Sequence, residues 1–104
     1  MIAMLKKLLG LGKSVDFKEL VKNGAQVVDV RTPGEFKTGH IRGAVNIPLQ
    51  QFQSGMSKIK RDKPVITCCA SGMRSASAKN MLQSAGFKDV HNGGGWAGLN
   101  RKLQ

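Results

Sequence analysis

With 104 residues the chain has room for one hydrophobic core and hence one domain. Its 17 Lys and Arg against 6 Asp and Glu give a formal charge of +11, which draws anions, yet the basic residues are scattered from Lys6 to Lys102 and Tyr is absent, which argues against a nucleic-acid surface with interleaved aromatic platforms. The two cysteines, Cys68 and Cys69, are neighbours that close no useful loop, and neither they nor His40 and His91 stand at zinc-ligand spacing, so a disulfide scaffold is excluded and no metal or cofactor is implied.

Residues 1–12 are apolar but interrupted by Lys6 and Lys7, which leaves too little for a membrane span and no apolar core for a secretion signal. Ile2, Leu5 and Leu9 can share one helical face, which predicts a helix packed on its own domain and leaves peripheral contact with a membrane surface open. The domain itself is expected over 13–104. Asp16 can cap a helix through Phe17, Leu20 and Val21, with Gly24 as its stop. Residues 26–30 are a β-branched run of the kind buried in a parallel sheet, closed by Thr32-Pro33-Gly34. Pro33 opens a helical turn through Phe36, and 44–47 reads as a strand ended by Pro48. Leu49, Phe52, Met56 and Ile59 suggest an amphipathic helix that Gly55 weakens.

Pro64 introduces Val65-Ile66-Thr67-Cys68-Cys69, the most apolar strand in the chain. A small-residue loop follows, then a helix over 74–85 with Gly86 as its stop, a strand around 89–91, the run Gly93-Gly94-Gly95, and a terminal segment carrying Trp96 and Leu99. Strands alternating with helices predict a parallel sheet covered on both faces.

Cys69 falls at the carboxyl end of the apolar strand, where open α/β sheets place their ligand sites. Ala70, Ser71 and Gly72 are small enough for the backbone to curl, so that successive N–H groups converge in front of the next helix. That convergence, the positive end of the helix dipole and Arg74 together favour a thiolate over a thiol. Cys69 is therefore read as a nucleophile, and Arg74 as a substrate-binding residue, because a cation in the first turn of a helix needs an anionic partner. Cys68 alternates with Cys69 along the strand and is assigned to the core.

The loop Cys69-Ala70-Ser71-Gly72-Met73-Arg74-Ser75 resembles the active loop of the rhodanese family of sulfurtransferases, Cys-x-x-Gly-x-Arg-Ser. Asp29-Val30-Arg31-Thr32-Pro33-Gly34-Glu35-Phe36, then Gly39-His40-Ile41-Arg42-Gly43-Ala44-Val45-Asn46-Ile47-Pro48, is similar to that family's upstream signature, and Asn92-Gly93-Gly94-Gly95-Trp96 to its closing segment. The resemblance runs from about Val15 onward and implies a three-layer α/β/α sandwich around a five-stranded, mostly parallel sheet. It also implies a scaffold role for Asp29, Arg31, Glu35 and His40; charged groups around a buried loop ordinarily hold it by hydrogen bonds, and a thiolate already formed needs no proton acceptor. Trp96 is expected in the core or at its rim.

The activity implied is transfer of sulfane sulfur from thiosulfate or a persulfide, a small anionic donor, to a thiol, cyanide or a protein acceptor. Cys69 would carry the sulfur, and Ala70, Ser71, Gly72, Met73, Arg74 and Ser75 would hold donor and persulfide. Two rivals stand beside it: a cysteine-dependent phosphatase or arsenate reductase, whose loops place five residues between cysteine and arginine where this chain places four, and a non-catalytic module, a class that commonly loses the cysteine. An adjacent reactive thiol suits a reducing, cytoplasmic compartment.

Overall fold

Helix and strand alternate along residues 15–104, the part of the chain described by the computed structural model. In order these are α1 (Phe17–Lys22), β1 (Gln26–Asp29), α2 (Pro33–Lys37), β2 (Val45–Asn46), α3 (Phe52–Gly55), β3 (Val65–Cys69), α4 (Met73–Ser84), β4 (Val90–Gly95) and α5 (Trp96–Leu103), with short 3-10 turns at Leu49–Gln51 and Met56–Lys58 on either side of α3. All the strands run parallel in the order β2-β1-β3-β4. The fold is the expected α/β layer structure, and its sheet has four strands among the described residues where the resemblance implied five. The reason is visible in the chain: after Val15 only four runs carry strand character, and each is used. The segment 1–12 lies outside the described residues.

Alternation along β1 and β3 divides the interior into two clusters. On one side Val28, Val30, Val65 and Cys69 pack with Ile47, Phe52, Ile59, Ala78, Leu82, Phe87 and Val90, burying the inner faces of α3 and α4. On the other, Val27, Ile66 and Cys68 pack with Phe17, Ile41 and Leu99, beneath α1 and α5. The two cysteines thus face opposite layers, as the period of two requires.

Local chemistry sets most boundaries. The Asp16 carboxylate accepts from the Glu19 N–H at 3.0 Å and starts α1. A reciprocal capping box starts α2: Thr32 Oγ1 accepts from Glu35 N at 3.2 Å, and Glu35 Oε1 accepts from Thr32 N at 2.9 Å, with Pro33 in the first turn. The amphipathic helix expected through Leu49 and Ile59 is instead one short α-helical turn between two 3-10 turns. The backbone departs from helical geometry at Gln51, with φ −112° and ψ 14°, and Gly55 packs so closely on Ile47 that a Cβ there would overlap the Ile47 Cγ2 methyl.

The last strand is longer than the sequence indicates and takes in the glycine run. A Cβ on Gly93 would meet Leu99 Cδ2 at 2.8 Å and Ile66 Cγ2 at 2.9 Å; one on Gly95 would meet the Ala70 carbonyl oxygen at 2.8 Å. The glycines let β4 press against β3 and the loop that follows it, where the pairing register shifts between Thr67 and Cys69.

Candidate active site

Cys69 ends β3 and is 1% exposed. The chain leaves the strand through Ala70 and Ser71 and reaches Gly72, whose φ of 108° is the left-handed conformation that side-chain-bearing residues resist. That turn aims the Gly72 N–H back at the sulfur, 2.9 Å from Sγ, and α4 begins at once. Ser75, fully buried in the first turn of α4, adds its N–H at 3.4 Å and its hydroxyl at 3.4 Å. Its backbone is fixed from below by the buried Thr67 hydroxyl, which donates to the Ser75 carbonyl at 2.9 Å.

Burial opposes a charge on Cys69. The Ser75 hydroxyl and the N–H groups of Ser75, Gly72 and Ser71 outweigh that cost and hold the thiol below its ordinary pKa. Cys68 has no such donors. Burial first, and then the Asp29 carboxylate, push it up to about 12, so it stays a neutral core thiol.

The expected site residues are thus brought together with different duties. Ser71, Gly72 and Ser75 address the sulfur. Ala70 and Met73 line the outside of the turn, Met73 being 80% exposed. Arg74 turns toward Glu35, with Nη1 at 2.8 Å from Oε1 and Nη2 at 3.1 Å from Oε2. This two-pronged pair joins the loop after β3 to the cap of α2 and uses two of the five guanidinium hydrogens. Hydrogen bonding by Arg74, then by the Thr32 backbone, lowers the Glu35 pKa to about 2. A carboxylate held below its unfolded value contributes stability above that value and loses it as pH falls through the folded one. Glu35→Gln should therefore lower the melting temperature slightly at pH 6, and the gap from the unaltered protein should close as pH falls toward 2; a gap independent of pH would mean that the pair contributes nothing.

Asp29, Arg31 and His40 make no hydrogen bond to the Cys69 sulfur, whose partners are Gly72 and Ser75. Asp29 and Arg31 form a buried pair, Nη2 to Oδ2 at 2.8 Å. The Arg31 guanidinium also donates to the carbonyls of Glu35 at 3.2 Å and Gly39 at 2.7 Å and lies over the Trp96 ring at 4.7 Å. His40 is exposed, stacked on Phe36 with its Nδ1 2.8 Å from the Phe36 carbonyl oxygen. Two contributors escaped the sequence reading: Thr67 beneath Ser75, and Asn92, which touches Gly72, Ser75 and Gly94. The signal for Asn92 was a polar side chain directly ahead of three glycines at the carboxyl end of a strand.

Among the described residues no cluster of His, Cys, Asp and Glu could hold a metal ion. No described helix is long and apolar enough to cross a membrane.

Comparison with known proteins agrees with the α/β fold. The Rhodanese-like domain family matches residues 14–102. An uncharacterized protein of Bacillus subtilis, YqhL, is 44% identical over 68 residues, which cover 65% of this chain and 54% of the relative. The thiosulfate sulfurtransferase GlpE of Pseudomonas aeruginosa is 36% identical over 72% of this chain and 68% of its own. Among solved structures, a rhodanese-related protein from Thermoplasma volcanium superposes with a TM-score of 0.70 at 32% identity, covering 86% of this chain and 93% of that one.

Proposed function

Since the chain belongs to the Rhodanese-like domain family, we propose that it is a sulfurtransferase that carries sulfane sulfur on Cys69. The observation that carries this reading is the convergence of backbone N–H groups on Cys69 Sγ, in a loop with four residues between cysteine and arginine. A cradle focused on one sulfur atom suits a thiolate and its persulfide; it is too tight to encircle a tetrahedral phosphate.

In the first step the Cys69 thiolate attacks the outer sulfur of thiosulfate. The new S–S bond forms as the bond to the sulfonate sulfur breaks, and sulfite leaves with the electron pair. The thiolate charge passes to the terminal sulfur of the persulfide, where N–H groups of the loop from Ala70 to Ser75 stabilise it. Arg74 keeps three guanidinium hydrogens free of Glu35 for the oxyanion end of the donor or the departing sulfite. In the second step an acceptor thiolate or cyanide attacks the terminal sulfur, and the electron pair of the cleaved S–S bond returns to Cys69. The overall positive charge steers anionic donors toward the protein. Low-molecular-weight persulfides, or a protein acceptor, fit the same two steps, and a reducing cytoplasm would keep both cysteines free.

Mass spectrometry after incubation with thiosulfate tests the reading. The protein should gain one sulfur atom, on the peptide carrying Cys69, and lose it on addition of cyanide. No gain, with the unaltered protein indistinguishable from Cys69→Ala, would reject sulfur transfer, and hydrolysis of an aryl phosphate would put a phosphatase in its place.

A further inference from the structure

Behind the Cys69 sulfur runs a chain of hydrogen bonds, buried at Ser75 and part-buried at Asn92, that ends on β4. The Ser75 hydroxyl lies 3.4 Å from Cys69 Sγ on one side and 2.7 Å from Asn92 Oδ1 on the other. The orientation of the Asn92 amide is settled by its backbone neighbours. Its Nδ2 donates to the Gly72 carbonyl at 3.1 Å, and its Oδ1 accepts from the Gly94 N–H at 2.9 Å. Asn92 thus shows Ser75 an oxygen that can only accept. Ser75 has a single hydroxyl hydrogen, and two acceptors compete for it: an amide oxygen at short range and a sulfur at longer range.

Which acceptor wins depends on the state of the sulfur. A protonated Cys69 can itself donate to Ser75 Oγ, and the Ser75 hydrogen then goes to Asn92, leaving no polar group unpaired. A thiolate has no hydrogen to give and is the stronger acceptor, so the Ser75 hydroxyl rotates toward it, while Asn92 Oδ1 keeps the Gly94 N–H. A sulfur already bonded to a transferred sulfur again has no charge on Sγ, and the hydrogen returns to Asn92.

We propose that Asn92 is a positioning residue for the reactive sulfur, holding the Ser75 hydroxyl hydrogen whenever Cys69 Sγ is neutral and yielding it when Cys69 is a thiolate. Asn92 thereby limits how far the thiolate is stabilised. An acceptor at this position keeps the sulfur nucleophilic, because a thiolate that held the Ser75 hydrogen without competition would be both more abundant and less reactive. The persulfide part of this statement rests on the sulfur-transfer reading; the part that concerns thiol and thiolate does not.

Two variants separate this role from a structural one. Asn92→Leu and Asn92→Asp both lose the donor to the Gly72 carbonyl, so any loosening of the loop is common to them. They differ in the acceptor: Leu has none, and Asp carries a stronger one. The pH dependence of iodoacetamide alkylation of Cys69 reads its pKa without involving a sulfur donor. The pKa should fall in Asn92→Leu and rise in Asn92→Asp, the two separated by at least about one pH unit, a tenfold difference in the ratio of thiolate to thiol. In a Ser75→Ala background the separation should shrink to less than half, because the hydroxyl that relays it is gone.

Equal shifts in both variants would reduce Asn92 to a loop anchor. A separation undiminished by Ser75→Ala would mean that the Asp charge acts on the sulfur directly; either result overturns the proposal. If the unaltered protein gains no sulfur from thiosulfate, the sulfurtransferase reading falls, while the alkylation profiles still decide the role of Asn92.

Discussion

Arg31→Ala should be the most destabilising single substitution in the scaffold, lowering stability by about 3–5 kcal/mol. The cause lies in what remains rather than in what is lost. Asp29 is fully buried at the end of β1, and all of its carboxylate bonds go to Arg31: the backbone N–H at 3.1 Å, Nε at 2.9 and 3.1 Å, and Nη2 at 2.8 Å. Without the guanidinium a carboxylate is left in the core with one backbone donor, and the Gly39 carbonyl loses the Arg31 donor, while the Glu35 carbonyl keeps Thr38. Against a typical total of roughly 5–15 kcal/mol this is a large fraction, and for a domain of this size it corresponds to a melting temperature lower by on the order of 15–30 °C. The double variant Asp29→Leu with Arg31→Met removes both charges and should be more stable than Arg31→Ala alone, since an absent pair costs less than half of one. Thermal unfolding of the three proteins decides the matter: if the double variant is the least stable, the pair contributes net attraction and the explanation by a stranded charge is wrong.

The arrangement around Arg31 shows why part of the architecture was legible in the sequence and part was not. The apolar runs in residues 26–30 and 65–69, the cap at Asp16, Pro33 at the start of α2 and the small-residue turn with Gly72 ahead of α4 are local signals, and each appears where its chemistry predicts. The assignment of Cys68 and Cys69 to opposite layers follows from strand periodicity alone. What local pattern could not convey is contact between distant segments. The close packing of Gly55 on Ile47 and the fit of the β4 glycines against Ile66, Leu99 and the carbonyl of Ala70 are contacts of this kind. The same applies to the site. That Arg74 would need an anionic partner was readable from its position in a helix; that Glu35, 39 residues earlier, supplies one was not. The sequence marks Asn92 only as a polar residue ahead of three glycines; its contact with Ser75 arises when β4 lies beside β3.

The chemical asymmetry between the two adjacent cysteines leads to the largest expected loss of activity. Cys69→Ser should lower kcat/KM for thiosulfate by at least about a thousandfold, since the nucleophile forms the covalent intermediate and hydroxyl oxygen neither ionises near neutrality nor accepts sulfane sulfur. Cys68→Ala should retain the reaction, because the Cys68 sulfur faces the layer beneath α1 and α5. In the unaltered native protein iodoacetamide should modify one cysteine, Cys69, with a rate that rises through a pKa below the free-thiol value of roughly 8.5 and then levels off. The direction follows from the balance of forces: burial raises that pKa, and the Ser75 hydroxyl with the N–H groups of Ser75, Gly72 and Ser71 lowers it further than burial raises it. Cys68, pushed up to about 12 and fully buried, should react only after unfolding, when the count rises to two. Labelling of both cysteines at equal rates in the native state, or a Cys69 profile that inflects at or above the free-thiol value, would show that the loop does not activate the sulfur. If Cys68→Ala abolished turnover as completely as Cys69→Ser, the two thiols would have to act together, which the opposite facing of their side chains on β3 forbids without unfolding the strand's end.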